Sequence, residues 1–133
     1  MRMLMVMGMA GVLAGCAMPF DDMHNNQYMN HQAQAVPAGM DDSWTGVMGP
    51  YLMTLQLNED GTGKLCNSYG ASNYLQVVKY NSGMVYIQDG TRMSATFNGD
   101  TLTAKFPYTG SKPAGFQRDS DLAMAAPYCR QNL

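Results

Sequence analysis

Arg92-Met93-Ser94-Ala95-Thr96-Phe97-Asn98-Gly99-Asp100-Thr101-Leu102-Thr103-Ala104-Lys105-Phe106 is the stretch that decides the fold. Met93, Ala95 and Phe97 alternate with polar residues, and Leu102, Ala104 and Phe106 do so again, so each half reads as a strand with one apolar face. Asn98-Gly99 between them tolerates positive φ at both positions and favours a tight hairpin. The two halves therefore pair antiparallel, with the apolar side chains on one side and Thr101, Thr103 and Lys105 toward water. A single ribbon of this kind is marginal in water, so more strands must cover its apolar face.

The chain on either side supplies them. Upstream, Tyr51, Met53, Leu55 and Leu57 share one face, and Asn58-Glu59-Asp60-Gly61-Thr62-Gly63 turns the chain into a short strand, Lys64 to Ser68. Tyr74 to Tyr80 follows, then Asn81-Ser82-Gly83 and Met84 to Gln88, with Asp89-Gly90 as a further turn signal. Ser43-Trp44-Thr45-Gly46-Val47 opens the series. Its tryptophan, the only one in the chain, is expected to plug the core or cap one end of a barrel, with the indole N–H on a carbonyl. Downstream, Phe116 to Arg118 makes a last strand, and Asp119 or Asp121 is placed to cap a helical turn through Leu122 to Ala126. Every link is local, which predicts an all-β antiparallel meander of six to eight strands closing into a barrel or a two-sheet sandwich, with a short C-terminal helical turn.

The amino terminus reads differently. Arg2 is the only charge before Asp21, and Met3 to Leu13 is apolar, which is the length of an export signal and too short to span a bilayer as a helix. It ends in Leu13-Ala14-Gly15-Cys16, which resembles the lipobox of bacterial lipoproteins. The resemblance implies cleavage after residue 15, diacylglycerol on the sulfur of Cys16 and usually a further acyl chain on the new amino terminus. In that family an aspartate after the cysteine commonly retains the protein in the inner membrane. Ala17 stands there and favours the outer membrane. Residues 17–42 are rich in Asn, Gln, Asp, Pro and Gly without an apolar period. Residues 16–42 are therefore expected to be a lipidated flexible tether, and residues 43–133 the folded domain.

With Cys16 carrying lipid, Cys66 and Cys129 are the two thiols left, and an oxidising compartment favours one disulfide between them. A reactive thiol or a pair of metal ligands are the competing readings, but neither cysteine lies in a Cys-x-x-Cys pair or beside a histidine. Such a bond would pin the tail across the third-strand region and cover an open sheet edge. Met23, His24, Met29 and His31 in the tether carry thioether and imidazole groups suited to copper. Methionine is abundant throughout, 14 in all, so the four are candidates only and no metal site or cofactor is assigned.

The spacing Trp44-x-Gly46, Tyr51, Thr54-Leu55, Asp60-Gly61-Thr62-Gly63, Cys66, Asp89-Gly90-Thr91 and Pro127-Tyr128-Cys129 resembles a group of uncharacterised small lipoproteins of Gram-negative bacteria. In shape the domain is also similar to calycin-type barrels, in which a tryptophan near the first strand closes one end. The Gly-x-Trp order of lipocalins is absent here.

Catalytic sets are scarce. Both histidines lie in the tether, away from any serine or cysteine of the domain, and Glu59, Asp60, Asp89, Asp100, Asp119 and Asp121 fall at turns, where aspartate bonds its own backbone. The net charge of −2, with few and scattered basic residues, excludes nucleic acid as a partner. Trp44, Tyr74, Tyr80, Tyr86 and Tyr108 are the candidate contact residues. The expectation is a non-enzymatic envelope lipoprotein, held at the membrane through Cys16, whose β-domain docks on an envelope protein in an assembly or inhibitory role. The alternatives are a carrier of a small apolar ligand and copper capture by the tether. A carrier needs a cavity of about 300 Å³ or more, expected against Met93, Phe97, Leu102 and Phe106. A docking module would have them packed solid.

Overall fold

The computed structural model describes residues 18–133, so the lipobox, including Cys16, lies outside the described residues. The core is a closed barrel of eight antiparallel strands in sequence order. They are β1 (Ser43–Met48), β2 (Tyr51–Leu57), β3 (Thr62–Tyr69), β4 (Ser72–Asn81), β5 (Met84–Ile87), β6 (Arg92–Phe97), β7 (Thr101–Lys105) and β8 (Ala114–Arg118). Two short helices flank the barrel, α1 (Pro19–His24) and α2 (Pro127–Asn132), with a single 3-10 turn at Tyr28–Asn30.

The hairpin that decides the fold pairs Phe97 with Leu102 and Ala95 with Ala104, across a turn in which Gly99 takes φ 103°. Its apolar face points into the barrel, where Met93, Leu102 and Ala104 are fully buried. Closure comes from β1 against β8, with Trp44 opposite Arg118 and Gly46 opposite Phe116. Gly46 is required there because any β-carbon would collide with the Phe116 ring.

One end of the barrel is packed solid. Trp44 is fully buried, donates its indole N–H to the Met40 carbonyl at 2.9 Å and meets the edge of Phe97 at 5.6 Å between ring centroids. Arg118 lies over the same indole at 4.5 Å and reaches Asp42 at 2.7 Å. Burial alone would raise the Asp42 carboxyl, but hydrogen bonds from Arg118, the Ser43 amide and the Ser120 hydroxyl outweigh it and hold Asp42 below its ordinary value of 3.8. A depressed folded value contributes stability that is present above the ordinary value and is lost as pH falls through the lowered one. Asp42→Asn should therefore cost about 1 kcal/mol at neutral pH, the modest figure expected for a solvent-screened pair. In denaturation series the gap between variant and parent should close below about pH 4; a gap independent of pH would refute the assignment.

The disulfide joins Cys66 on the outer face of β3 to Cys129 in α2. With Ala125 and Ala126, and with Leu52, Leu75, Leu122 and Leu133 against them, it forms a second apolar layer outside the barrel. The expectation that the tail covers an open edge is corrected. β1–β8 pairing leaves no edge, and the tail covers an apolar outer face instead. The expected helical turn at 122–126 also moves. Leu122 adopts φ 60°, which a helix cannot continue, and the helix begins at Pro127, a residue pre-set for the first helical position. Asp119 is buried and holds that non-helical turn, accepting hydrogen bonds from the Thr45 hydroxyl at 2.8 Å and the Met124 amide at 3.2 Å, while Asp121 accepts from the Ala123 amide at 3.2 Å.

The free tether expected up to Asp42 is likewise not what residues 18–42 form. α1 lies across one barrel end, with Asn26 donating to the Gln88 carbonyl at 2.9 Å. The chain then runs down the outside of the β4–β5 hairpin. Lys79 reaches the Tyr28 carbonyl at 3.2 Å and lies over the Tyr28 ring, and His31 stacks on Tyr86 at 3.8 Å. Gln34 N–H donates to Tyr80 at 2.8 Å and Val36 N–H to Glu59 at 3.1 Å. Gly61 makes this approach possible, since a side chain there would strike the Gln34 backbone. The strap ends at Met40, which is fully buried beneath Trp44. A polar segment needs no apolar period when main-chain hydrogen bonds to a preformed barrel hold it.

Candidate functional site

The other end of the barrel is open, and a cavity of about 710 Å³ enters it between the β1–β2, β3–β4, β5–β6 and β7–β8 connections. Strand alternation builds its wall. Met48, Met53, Ile87, Phe106 and Ala114 point inward from β1, β2, β5, the end of β7 and β8, and give it an apolar lining. Methionine adapts its shape to flexible aliphatic partners, so Met48 and Met53 make a yielding rather than a rigid wall. The contrast with the packed end follows from side-chain size, because Trp44, Met40 and Phe97 fill that end while Ala114 and Gly110 leave this one open.

Polar groups interrupt the lining at two inward positions. Asn67 on β3 and Gln76 on β4 occupy the same phase as Leu65 and Val78, which are fully buried core residues. Asn67 pairs with Tyr74 across the strands, and its side-chain oxygen is buried with no hydrogen-bond partner. An unpaired buried acceptor costs about 1–3 kcal/mol, so this atom favours any ligand that brings a donor to it. The sequence signal for it was the polar residue at an inward position, Leu65-x-Asn67 and Gln76-x-Val78, and periodicity reading passed over both.

At the rim, Tyr108 donates its hydroxyl to Asp22 of α1 at 2.7 Å and accepts from the Arg92 amide at 3.1 Å, while Arg92 Nε contacts the same Asp22 oxygen at 3.3 Å. Burial, and then the Asp22 carboxylate, push the Tyr108 hydroxyl well above the ordinary tyrosine range, so it remains a neutral donor. This knot fixes α1 to the mouth, where Met18 and Pro19 join the lining.

The candidate contact residues do not form one surface. Tyr74 and Tyr108 line the cavity mouth. Trp44 and Tyr80 belong to the buried core, and Tyr86 stacks on His31 on the outer wall. The cavity expected against Met93, Phe97, Leu102 and Phe106 lies elsewhere. Of the four, only Phe106 lines it, because Met93 and Leu102 are fully buried and Phe97 packs on Trp44. Of the copper candidates, Met23 and His24 sit in α1 and His31 is engaged on Tyr86, while Met29 is 81% exposed. Among the described residues no three of His, Cys, Asp and Glu gather at metal-binding distance. Asp60 and Asp89 accept hydrogen bonds from Thr62 and Thr91 in their own turns.

Comparison with known proteins places this geometry. Residues 25–133 match the family model described as the bacterial lipocalin LPS transport optimiser YedD. Among solved structures, the YedD lipoprotein of Klebsiella pneumoniae is similar with TM-score 0.59 at 16% identity, over 79% of this chain and 90% of that one. A lipoprotein of Streptococcus pneumoniae aligns with TM-score 0.54 at 20% identity, over 65% of this chain and all of its own. So does a lipocalin lipoprotein affecting virulence in the same species, with TM-score 0.53, 20% identity and the same coverage. At these identities the structures speak to the fold alone. No curated protein matches the sequence. The family match spans the strap, the whole barrel and the disulfide-bonded tail, and on that extent the chain belongs to the YedD family of small lipocalin-like bacterial lipoproteins.

Proposed function

We propose that this protein is a non-enzymatic envelope lipoprotein, anchored through lipid on Cys16 and directed to the outer membrane by Ala17, whose barrel takes up one amphipathic ligand with an acyl chain. The observation that carries this reading is the cavity of about 710 Å³, open at one end and mostly apolar within. That volume lies in the range of small-molecule sites, and an eight-stranded barrel has an interior suited to one such ligand. An acyl chain would lie against Met48, Met53, Ile87 and Phe106, and a hydroxyl or amide N–H of the ligand would meet Asn67 Oδ1. The description of the family, an optimiser of LPS transport, supports a ligand of the acylated-saccharide class and a protein of that transport route as the partner.

The carrier reading thus moves ahead of docking on a protein alone, since a docking module has no need of an open interior. Copper capture gains no observation, with His31 committed to Tyr86. The test is binding of an environment-sensitive fluorescent fatty acid to the Cys16→Ala chain in solution. Ala114→Trp, which puts an indole into the cavity from β8, should weaken binding at least tenfold. Tyr128→Ala, on the outer face of α2, should leave it unchanged. Saturable binding that ignores Ala114→Trp, or no binding by the parent, would overturn the proposal.

A further inference from the structure

The open end of the barrel carries a second feature, the exposed rim of the cavity. Six of the eleven exposed large apolar and aromatic side chains of the described residues lie there. Met18, Phe20, Val47, Tyr51, Tyr69 and Tyr74 ring the mouth, with Phe20 68% and Val47 64% exposed. Tyr51 and Tyr69 lie 5.7 Å apart between ring centroids, bridging adjacent strand ends. Phenol rings with an apolar body and a polar tip are the side chains favoured at the boundary between lipid tails and headgroups.

The opposite end has the reverse character. It presents Asp41, Asp42, Glu59, Asp60 and Asp100, with Arg118 committed to Asp42. An acidic end is repelled by anionic headgroups, which disfavours docking by that end. Asp21 and Asp22 in α1 and Asp89 also lie near the mouth. Asp22 is held by Arg92 and Tyr108, Asp89 accepts from Thr91, and Lys112 of the β7–β8 connection lines the same mouth, so cations accompany the carboxylates there.

From these placements we propose that the aromatic mouth is a lipid-docking face, laid on the surface of the same bilayer that holds the anchor. The inference rests on the lipid at Cys16. Met18 lines the rim, and only two residue steps, roughly 7 Å of extended chain, separate it from that cysteine. Asp22 and Asn26 tie the α1 segment to the barrel, which holds Met18 at the mouth. A ligand with an acyl chain then enters the cavity directly from the bilayer, without crossing water.

The test uses the full lipidated chain in nanodiscs of phosphatidylethanolamine and phosphatidylglycerol, with and without bromine on the acyl chains. Trp44, buried at the far end, serves as the internal reference. Tyr74→Trp at the rim should lose at least half of its added fluorescence in brominated discs, whereas Asp100→Trp at the far end should lose none. Replacing Phe20 and Tyr69 together by serine, neither of which lines the cavity, should abolish the rim quenching while the Cys16→Ala form of the same variant still binds the fluorescent fatty acid. Disc association with no quenching at Tyr74→Trp, as a protein-docking rim would give, or with equal quenching at both positions, overturns the lipid-docking face and leaves the anchor standing. Failure to associate with discs at all overturns the anchor as well.

Discussion

Replacing Cys66 and Cys129 together by alanine should lower stability by about 4 kcal/mol, the chain-entropy value for a bridge of sequence separation 63. Small domains have roughly 5–15 kcal/mol in total, so the double variant should be marginal at physiological temperature. The loss should be local in character. The bridge clips α2 to the outer face of β3, and the apolar layer of Leu52, Leu75, Leu122 and Leu133 is what it holds down. Hydrogen exchange should therefore accelerate first in α2 and the 119–126 turn, with the barrel strands still protected. Chemical denaturation with and without reductant measures the total. A parent that is indifferent to reductant would show that packing alone secures the tail.

Trp44→Ala is the other large effect, about 3–5 kcal/mol by analogy with buried aromatic truncations. The ring is fully buried and holds three groups at once: the Met40 carbonyl, the Phe97 edge and the Arg118 guanidinium. Its removal strands a carbonyl and frees Met40, so the strap should loosen with the core. For a domain of this size the midpoint of thermal unfolding should fall by roughly 15–30 °C. Trp44→Phe, which keeps much of the volume and loses the indole N–H, should cost distinctly less. Equal losses for the two variants would mean that the hydrogen bond to Met40, not the packing, secures this end.

The hairpins were legible in the sequence because their turns carry their own chemistry. Asn98-Gly99 and Asn81-Ser82-Gly83 need positive φ, and Gly99, Ser82 and Gly83 adopt it. Strand faces followed from alternation, and Trp44 as an end cap followed from its position at the start of β1. Three things were not legible. The strap was hidden because its order comes from main-chain bonds such as Gln34 N–H to Tyr80, which no side-chain pattern encodes. Closure was ambiguous because a barrel and a sandwich share the same alternation, and only the Trp44–Arg118 register decides between them. The cavity was assigned to the wrong inward residues because empty space depends on side-chain volumes summed around a ring of strands. Phe97 and Leu102 share a phase with Phe106 but sit at the end that Trp44 fills, and Met93 is packed into the core rather than lining the cavity.

The strap also sets how the molecule answers a pull. Tension applied at the amino terminus is borne first by the Asp22 contacts to Arg92 and Tyr108 and the Asn26 bond to Gln88, and then by the few bonds along residues 31–42, the Gln34–Tyr80 and Val36–Glu59 contacts among them, which open one after another like a zipper. Only when Met40 is dragged from under Trp44 does load reach β1, and peeling those twelve residues pays out roughly 40 Å of slack. A barrel snagged by a passing partner could thus swing out on its leash and reel back, its eight strands never having borne the strain.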